Sequence, residues 1–270
     1  MLLNIIPWDV NPEIFRIGST LAVRWYGLLF ASSFLFGYII MNRIFKNENL
    51  GEAVLDRLTI YMALGTIIGA RLGHCLFYEP GYYLRNPLEI IAIWKGGLAS
   101  HGAGIGILLA MWLFVRKEKR DFAWIMDRIA IVVALSGFFI RMGNLMNSEI
   151  YGVETTVPWG FVFLRNNEVA PKHPTQIYEG LAYLLVFFLL FRIYWAKKGE
   201  YIQGLLISLF LILVFTTRFF VEFIKEDQVA FEATMKLNMG QLLSIPFILM
   251  GIIGLIWSMK VNKRLVIKRK

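Results

Sequence analysis

The 270-residue chain holds a single cysteine, Cys75, which sits inside an apolar run. One cysteine excludes an intrachain disulfide and any cysteine-based metal centre, so Cys75 is expected to be a small buried side chain. Histidine is also scarce, with three in the chain: His74, His101 and His173 are scattered, with no HExxH or DxxH spacing, which argues against a zinc site. There is no GxSxG elbow and no cysteine beside His101, so no protein nucleophile is apparent. If the chain is an enzyme, the attacking atom is expected to come from a substrate. The N-terminal stretch MLLNIIPWDVNPEIF lacks a basic segment and a small-residue cleavage site. No cleavable signal peptide is expected, and the first apolar span would act as the targeting signal. No internal repeat, low-complexity tract or soluble insertion interrupts the chain.

What fills the sequence is apolar: 57% of residues are hydrophobic and only 17% charged. Long apolar runs make this an all-α polytopic membrane protein. The net charge of +9 comes from short basic clusters between those runs, a pattern that sets membrane orientation and does not fit nucleic-acid binding. A span needs about 20 mostly apolar residues. Seven candidates lie at about 18–41, 58–78, 96–115, 129–148, 177–195, 204–224 and 239–259. The second, with Arg71 and His74, and the third, which opens GGLASHGAGIG, are the least apolar. One set of connections, with the tail at about 260–270, holds sixteen lysines and arginines, and the opposite set holds seven. The richer side should be cytoplasmic, leaving the N-terminus outside and the C-terminus inside. The tail would also lie against anionic lipid. Residues 1–270 thus form one integral-membrane domain with outer loops at about 79–95 and 149–176, the latter the longest connection.

Charged groups within spans cost at least about 2.5–3.5 kcal/mol at the bilayer centre, so each needs a reason. Arg192 lies near the cytoplasmic end of its span and can snorkel. Arg24, Arg71, Arg141, Arg218, His101 and Glu222 then all fall toward the outer leaflet, with Tyr26 beside Arg24. Glu149, eight residues past Arg141, lies about 12 Å further along a helix, near the outer surface. Arg218 and Glu222 are four apart and can pair. Outward snorkelling would explain an isolated arginine, Arg24 above all. Several guanidiniums in one layer would instead form a phosphate site, because each presents paired donors to phosphate oxygens. His101 reads either as a catalytic group or as a hydrogen-bonded helix contact, and His173 as an anchor for the start of the next helix.

The stretch IRMGNLMNSEIYG, residues 140–152, spaces Arg141, Gly143, Asn144, Asn147, Glu149 and Gly152 in one short run. It is the most specific element by which the chain resembles the bacterial prolipoprotein diacylglyceryl transferases, with those six residues in register with the family pattern. Ile140 stands where relatives carry glycine, and Leu145 where they carry phenylalanine. Further motifs occur in order: RWYG with Tyr26, where Arg24 departs from a common histidine; SHGAGIG with His101 and Gly102, where Ala103 replaces a glycine; and KHPTQIYE. TRFFVEFIKEDQ carries Arg218 and Glu222, its usual proline displaced at residues 227–228, and MGQLLSIP completes the set.

The resemblance implies transfer of the diacylglyceryl group of phosphatidylglycerol to the lipobox cysteine of a prolipoprotein signal peptide. A thioether forms and glycerol 1-phosphate leaves, with no cofactor or metal, at the outer leaflet of the bacterial inner membrane. His101, Arg141, Arg218 and Tyr26 would be catalytic. Arg71, Gly102, Arg141, Asn144, Asn147, Glu149, Gly152, Arg218 and Glu222 would bind the phospholipid. His101 is the candidate base for the substrate thiol, with lipid positioning as its alternative role. Two other classes compete. An ion-coupled transporter also buries Arg, Glu and His, but near the midplane or in both leaflets. A seven-span receptor has only its count in support.

Overall fold

The computed structural model describes residues 6–18, 21–93, 96–97, 99–226 and 234–268. Residues 94–95 of the first outer loop, the displaced-proline position at 227–228, the first five residues and the last two lie outside that set. The chain divides into two compact units, one made of Met1–Ile40 with Met126–Lys270 and the other of Met41–Ile125.

Six helices are long and apolar enough to cross a membrane: Trp25–Asn47, Glu52–Phe77, Phe122–Met146, Thr175–Ala196, Leu205–Ile224 and Met239–Lys260. In chain order the α-helices are α1 (Trp25–Asn47), α2 (Glu52–Phe77), α3 (Pro80–Arg85), α4 (Ser100–Glu118), α5 (Phe122–Met146), α6 (Thr175–Ala196), α7 (Leu205–Val221) and α8 (Met239–Lys268). The expected third span is helical as α4 but is not among the six. Its Ser-His-Gly start and Arg-Lys-Glu end dilute its hydropathy. The expected first span begins too early. Gly18 lies in a turn at φ +63° and Leu21–Arg24 form a strand, β3, which pairs antiparallel with β2 (Glu13–Ile17), Ile17 opposite Leu21. Arg24 therefore ends a strand instead of lying within a span, and its exposed guanidinium is 3.6 Å from Glu13.

In the unit spanning 41–125, α2 and α4 pack through glycine. Gly65, Gly69 and Gly73 on α2 recur every four residues, hence on one face, and meet Gly102 and Gly106 of α4. A side chain at Gly69 would come within 2.8 Å of the Gly106 Cα, and one at Gly102 within 2.7 Å of the Gly73 Cα. Such backbone proximity is how helices associate where water supplies no hydrophobic drive. Arg57 near the start of α2 reaches Glu118 at the end of α4 (2.7 Å), so the two helices run antiparallel.

In the other unit, the segment between α5 and α6 is not a bare loop. Strand β1 (Ile6–Trp8) lies parallel to β4 (Phe161–Phe163), with Trp8 opposite Phe163. Leu145, Phe161 and Phe163 are buried together, with Trp8, Tyr151 and Ile177 packed around them, and the Trp8 indole N–H donates to the Leu145 carbonyl (3.0 Å). Bridges continue the pairing from Phe161 to Lys172, Lys172 to Glu154, and Gly152 to Lys225. The signature loop is thereby joined to the chain leaving α7. At the far end of α7, the buried Asp127 carboxylate accepts from the backbone N–H groups of Gly204 (2.8 Å) and Ile207 (2.9 Å). It satisfies donors that a helix start leaves unpaired and lies at the positive end of the helix dipole.

Candidate active site

The C-terminal end of α5 carries Arg141, and its guanidinium organises the site. Arg141 Nε lies 2.7 Å from Glu179 Oε2, in an ion pair whose N–H direction is off the hydrogen-bond axis. Its Nη1 donates to Asn144 Oδ1 (3.2 Å), and the Asn144 amide donates to Glu149 Oε1 (2.8 Å). Asn147 donates to the same Glu149 oxygen at 3.3 Å. The signature spacing has a plain meaning: Arg141 and Asn144 are one turn apart on α5, and the chain then folds Glu149 back onto both amides. That fold-back requires left-handed backbone at Ser148 (φ +53°) and Ile150 (φ +61°). For a β-branched residue such a conformation costs on the order of 1–3 kcal/mol and persists only when its surroundings enforce it. Here the first turn of α6 does so: Gln176 Nε2 donates to the Glu149 carbonyl (2.8 Å) and Thr175 Oγ1 to the Ile150 carbonyl (2.9 Å).

Gly152 is tightly enclosed, a side chain there meeting the Ile224 carbonyl, His173 and Thr175. Gly143 lets the Tyr26 ring lie against α5, since a Cβ there would be 2.8 Å from the ring. Tyr26 thus joins the signature helix directly.

From α7 come Arg218, Glu222 and Lys225. The expected Arg218–Glu222 pair is not what the structure shows. Glu222 Oε2 is 3.2 Å from Lys225 Nζ, and Arg218 Nε is buried with no hydrogen-bond partner among the described residues. The helix loosens into a 3-10 turn at Glu222–Ile224, which swings Lys225 toward the carboxylate. Lys225 Nζ also lies 3.6 Å from Glu179 Oε1, so Glu179, fully buried on α6, bridges Arg141 and Lys225. Burial depresses the Lys225 ammonium below the usual lysine value; Glu179 and Glu222 oppose that shift, while Arg141 and Arg218 add to it. Five charged side chains therefore act on one another here. The start of α8 rests on Glu222, where Gly240 leaves room for the carboxylate. A reciprocal cap fixes that start: Gln241 N–H donates to Asn238 Oδ1 (2.9 Å) and Asn238 N–H to Gln241 Oε1 (3.1 Å).

The remaining expected residues belong to the other unit. His101 is exposed in the first turn of α4, its ring against Phe77 (5.3 Å) and Tyr78 (5.8 Å), and Tyr78 stacks on His74 (5.6 Å). Among the described residues no hydrogen bond to its imidazole is recorded. Gly102 is spent on the contact with α2. Arg71 is buried and donates to the carbonyls of Glu89 (2.6 Å), Ile90 (2.9 Å), Gly96 (2.5 Å) and Gly97 (3.2 Å), with Tyr83 under its guanidinium. Those donors hold the loop that leads into the His101 turn.

Sequence reasoning missed Glu179 as the partner of Arg141 and Lys225 as the partner of Glu179 and Glu222. Glu179 had a signal, a carboxylate inside the fifth span and inside KHPTQIYE. Lys225 had less, because one more lysine beyond a span reads as an orientation charge.

The arrangement sets one buried cation, Lys225, and two partly buried ones, Arg141 and Arg218, beside ordered amides, and suits an anionic phosphate ester. Comparison with known proteins agrees with that chemistry. Residues 12–257 match the family model described as Prolipoprotein diacylglyceryl transferase. The chain is 48% identical over 258 residues to the phosphatidylglycerol--prolipoprotein diacylglyceryl transferase of Tolumonas auensis, covering 95% of this chain and 99% of that protein. It is 44% identical to the protein of that name from Chloroherpeton thalassium, over 95% and 96% of the two chains, and 43% identical to that of Bacteroides fragilis, over 93% and 94%. The chain belongs to the prolipoprotein diacylglyceryl transferase family.

Proposed function

We propose that this chain transfers the diacylglyceryl group of phosphatidylglycerol to the lipobox cysteine thiol of prolipoprotein signal peptides, the first step of bacterial lipoprotein maturation. The carrying observation is Arg141, engaged by Glu179 and Asn144 in a chain of this family. The substrate sulfur forms a bond to the glyceryl carbon, and the bond from that carbon to the phosphate oxygen breaks. The product is a thioether, and glycerol 1-phosphate departs with the electron pair. Charge grows on the phosphate as that bond breaks, so Arg141 and Arg218 bind the transition state more tightly than the lipid. His101 receives the thiol proton, and Tyr26 shapes the floor beside Gly143. Asn144, Asn147, Glu149 and the backbone at Gly152 take the headgroup, and Glu222 sets the α7 side. Arg71 and Gly102 contribute through the loop and helix contact that place the His101 turn. Two guanidiniums supply the electrostatic stabilisation, and no cofactor enters the proposal.

The same reading puts the protein in the bacterial inner membrane with seven spans, the six apolar helices and α4, third in chain order. Its N-terminus is outside, its C-terminus cytoplasmic, and its site toward the outer leaflet. The test is purified protein with phosphatidylglycerol, with and without a lipobox peptide. Glycerol phosphate release should require the peptide and match thioether formation, and a peptide with Ser for the Cys should be nearly inert. Arg141→Lys keeps the charge but loses the fork, and should fall by on the order of a hundredfold. Vigorous release without peptide would replace the transferase reading with a phospholipase.

A further inference from the structure

Glu179 is a fully buried carboxylate amid cations that a phosphate would otherwise claim. One oxygen lies 2.7 Å from Arg141 Nε; the other lies 3.6 Å from Lys225 Nζ and 3.5 Å from the Tyr183 hydroxyl. A carboxylate repels the lipid phosphate, so its presence among Arg141, Arg218 and Lys225 needs a reason beyond phosphate binding.

We propose that Glu179 is a positioning residue that fixes the Arg141 guanidinium from its Nε side and, by its charge, keeps the released phosphate monoester from being held too tightly. The inference rests on the transferase reading. The lipid phosphodiester carries one negative charge, whereas the released monoester carries about −1.5 to −2 near neutral pH. Three cations unopposed would favour that product over the substrate and slow its departure. A fixed buried anion raises the energy of both, but in proportion to their charge, so it penalises the product more. Contact through Nε leaves the guanidinium free to bind phosphate through its outer nitrogens, with Asn144 Oδ1 steadying Nη1.

The experiment measures inhibition by added glycerol 1-phosphate during turnover of phosphatidylglycerol and a lipobox peptide. Glu179→Gln, similar in shape and uncharged, should tighten product inhibition at least about tenfold, with a smaller change in KM for the lipid. Glu179→Asp should return most of the parental inhibition constant. Lys225→Met, which removes a cation from the same carboxylate, should move inhibition the opposite way. If Glu179→Gln is not recovered folded, the double variant Glu179→Gln with Lys225→Met decides, and should show tighter product inhibition than Lys225→Met alone. A merely structural carboxylate would lower activity in the Glu179 variants and leave the inhibition constant where the parent, or Lys225→Met, sets it, and that result would overturn the proposal. The functional reading fails separately, if the parent protein releases no glycerol phosphate with peptide present.

Discussion

At the scale of single residues, His173 links the segment between α5 and α6 to α6 itself. Its Nδ1 lies 3.2 Å from the Tyr178 hydroxyl, which itself accepts the Trp159 indole N–H at 2.8 Å. The hydroxyl proton is then available to Nδ1, which suits a neutral ring. Burial pushes the His173 imidazole below its ordinary value in the same direction. With the folded value below the unfolded one of about 6.5, the unfolded chain binds more protons between the two. The contribution is fully present above about pH 6.5 and is lost as pH falls from there through the folded value. The thermal midpoint of purified protein should therefore decline between pH 7.5 and 5.5, and His173→Gln should flatten that decline. An unchanged slope in the variant would assign the decline to other groups. The residue scale is also where the sequence was most legible: Arg141, Asn144, Asn147 and Glu149, all within one motif, are joined by hydrogen bonds, and Gly152 of the same motif packs against Ile224. What it could not give was pairing. Arg218 and Glu222 share a helical spacing, but the helix loosens at Glu222, and Lys225 takes the carboxylate.

At the scale of elements, the glycines of SHGAGIG divide by what they touch. A Cβ at Gly106 would lie 2.8 Å from the Gly69 Cα and 3.1 Å from the Gly65 carbonyl carbon, whereas one at Gly104 would meet nothing within 4 Å. Gly106→Ala should therefore force α2 and α4 apart and cost about 1–3 kcal/mol, as overpacking does. Gly104→Ala should be neutral or slightly stabilising, because alanine restricts the unfolded chain and favours helix. Thermal unfolding in detergent compares the two directly, and equal midpoints would refute the packing assignment. The glycines around His101 are of the kind that lets backbones approach closely, and Gly102 and Gly106 do. Reading them as a helix contact needed the matching four-residue spacing on α2, a partner that no local pattern identifies. The strands were lost for a related reason: β3 is apolar and runs directly into α1, so a hydropathy window merges them.

At the scale of the whole molecule, the open point is α4, which decides whether the chain crosses six times or seven. Its 19 residues give about 28 Å of helix, close to the roughly 30 Å hydrocarbon thickness. Its glycine contacts run antiparallel along α2, itself one of the six apolar helices, and Arg57–Glu118 sets their ends level. That pairing with a helix of spanning length is what favours the proposed seven crossings over six. Seven crossings also put the Arg116, Lys117, Lys119 and Arg120 cluster on the same side as Arg43, Lys46 and Arg57. Six would strand it on the opposite side, against the tendency of basic loops to stay cytoplasmic. Reporter fusions decide between them. A phosphatase that works only outside the cytoplasm should be inactive when fused after Arg120 or at the C-terminus and active when fused within 164–170, with a fluorescent reporter giving the reverse. Phosphatase activity after Arg120 would make α4 a re-entrant helix and overturn the seven-span arrangement, whatever the tail fusion reads.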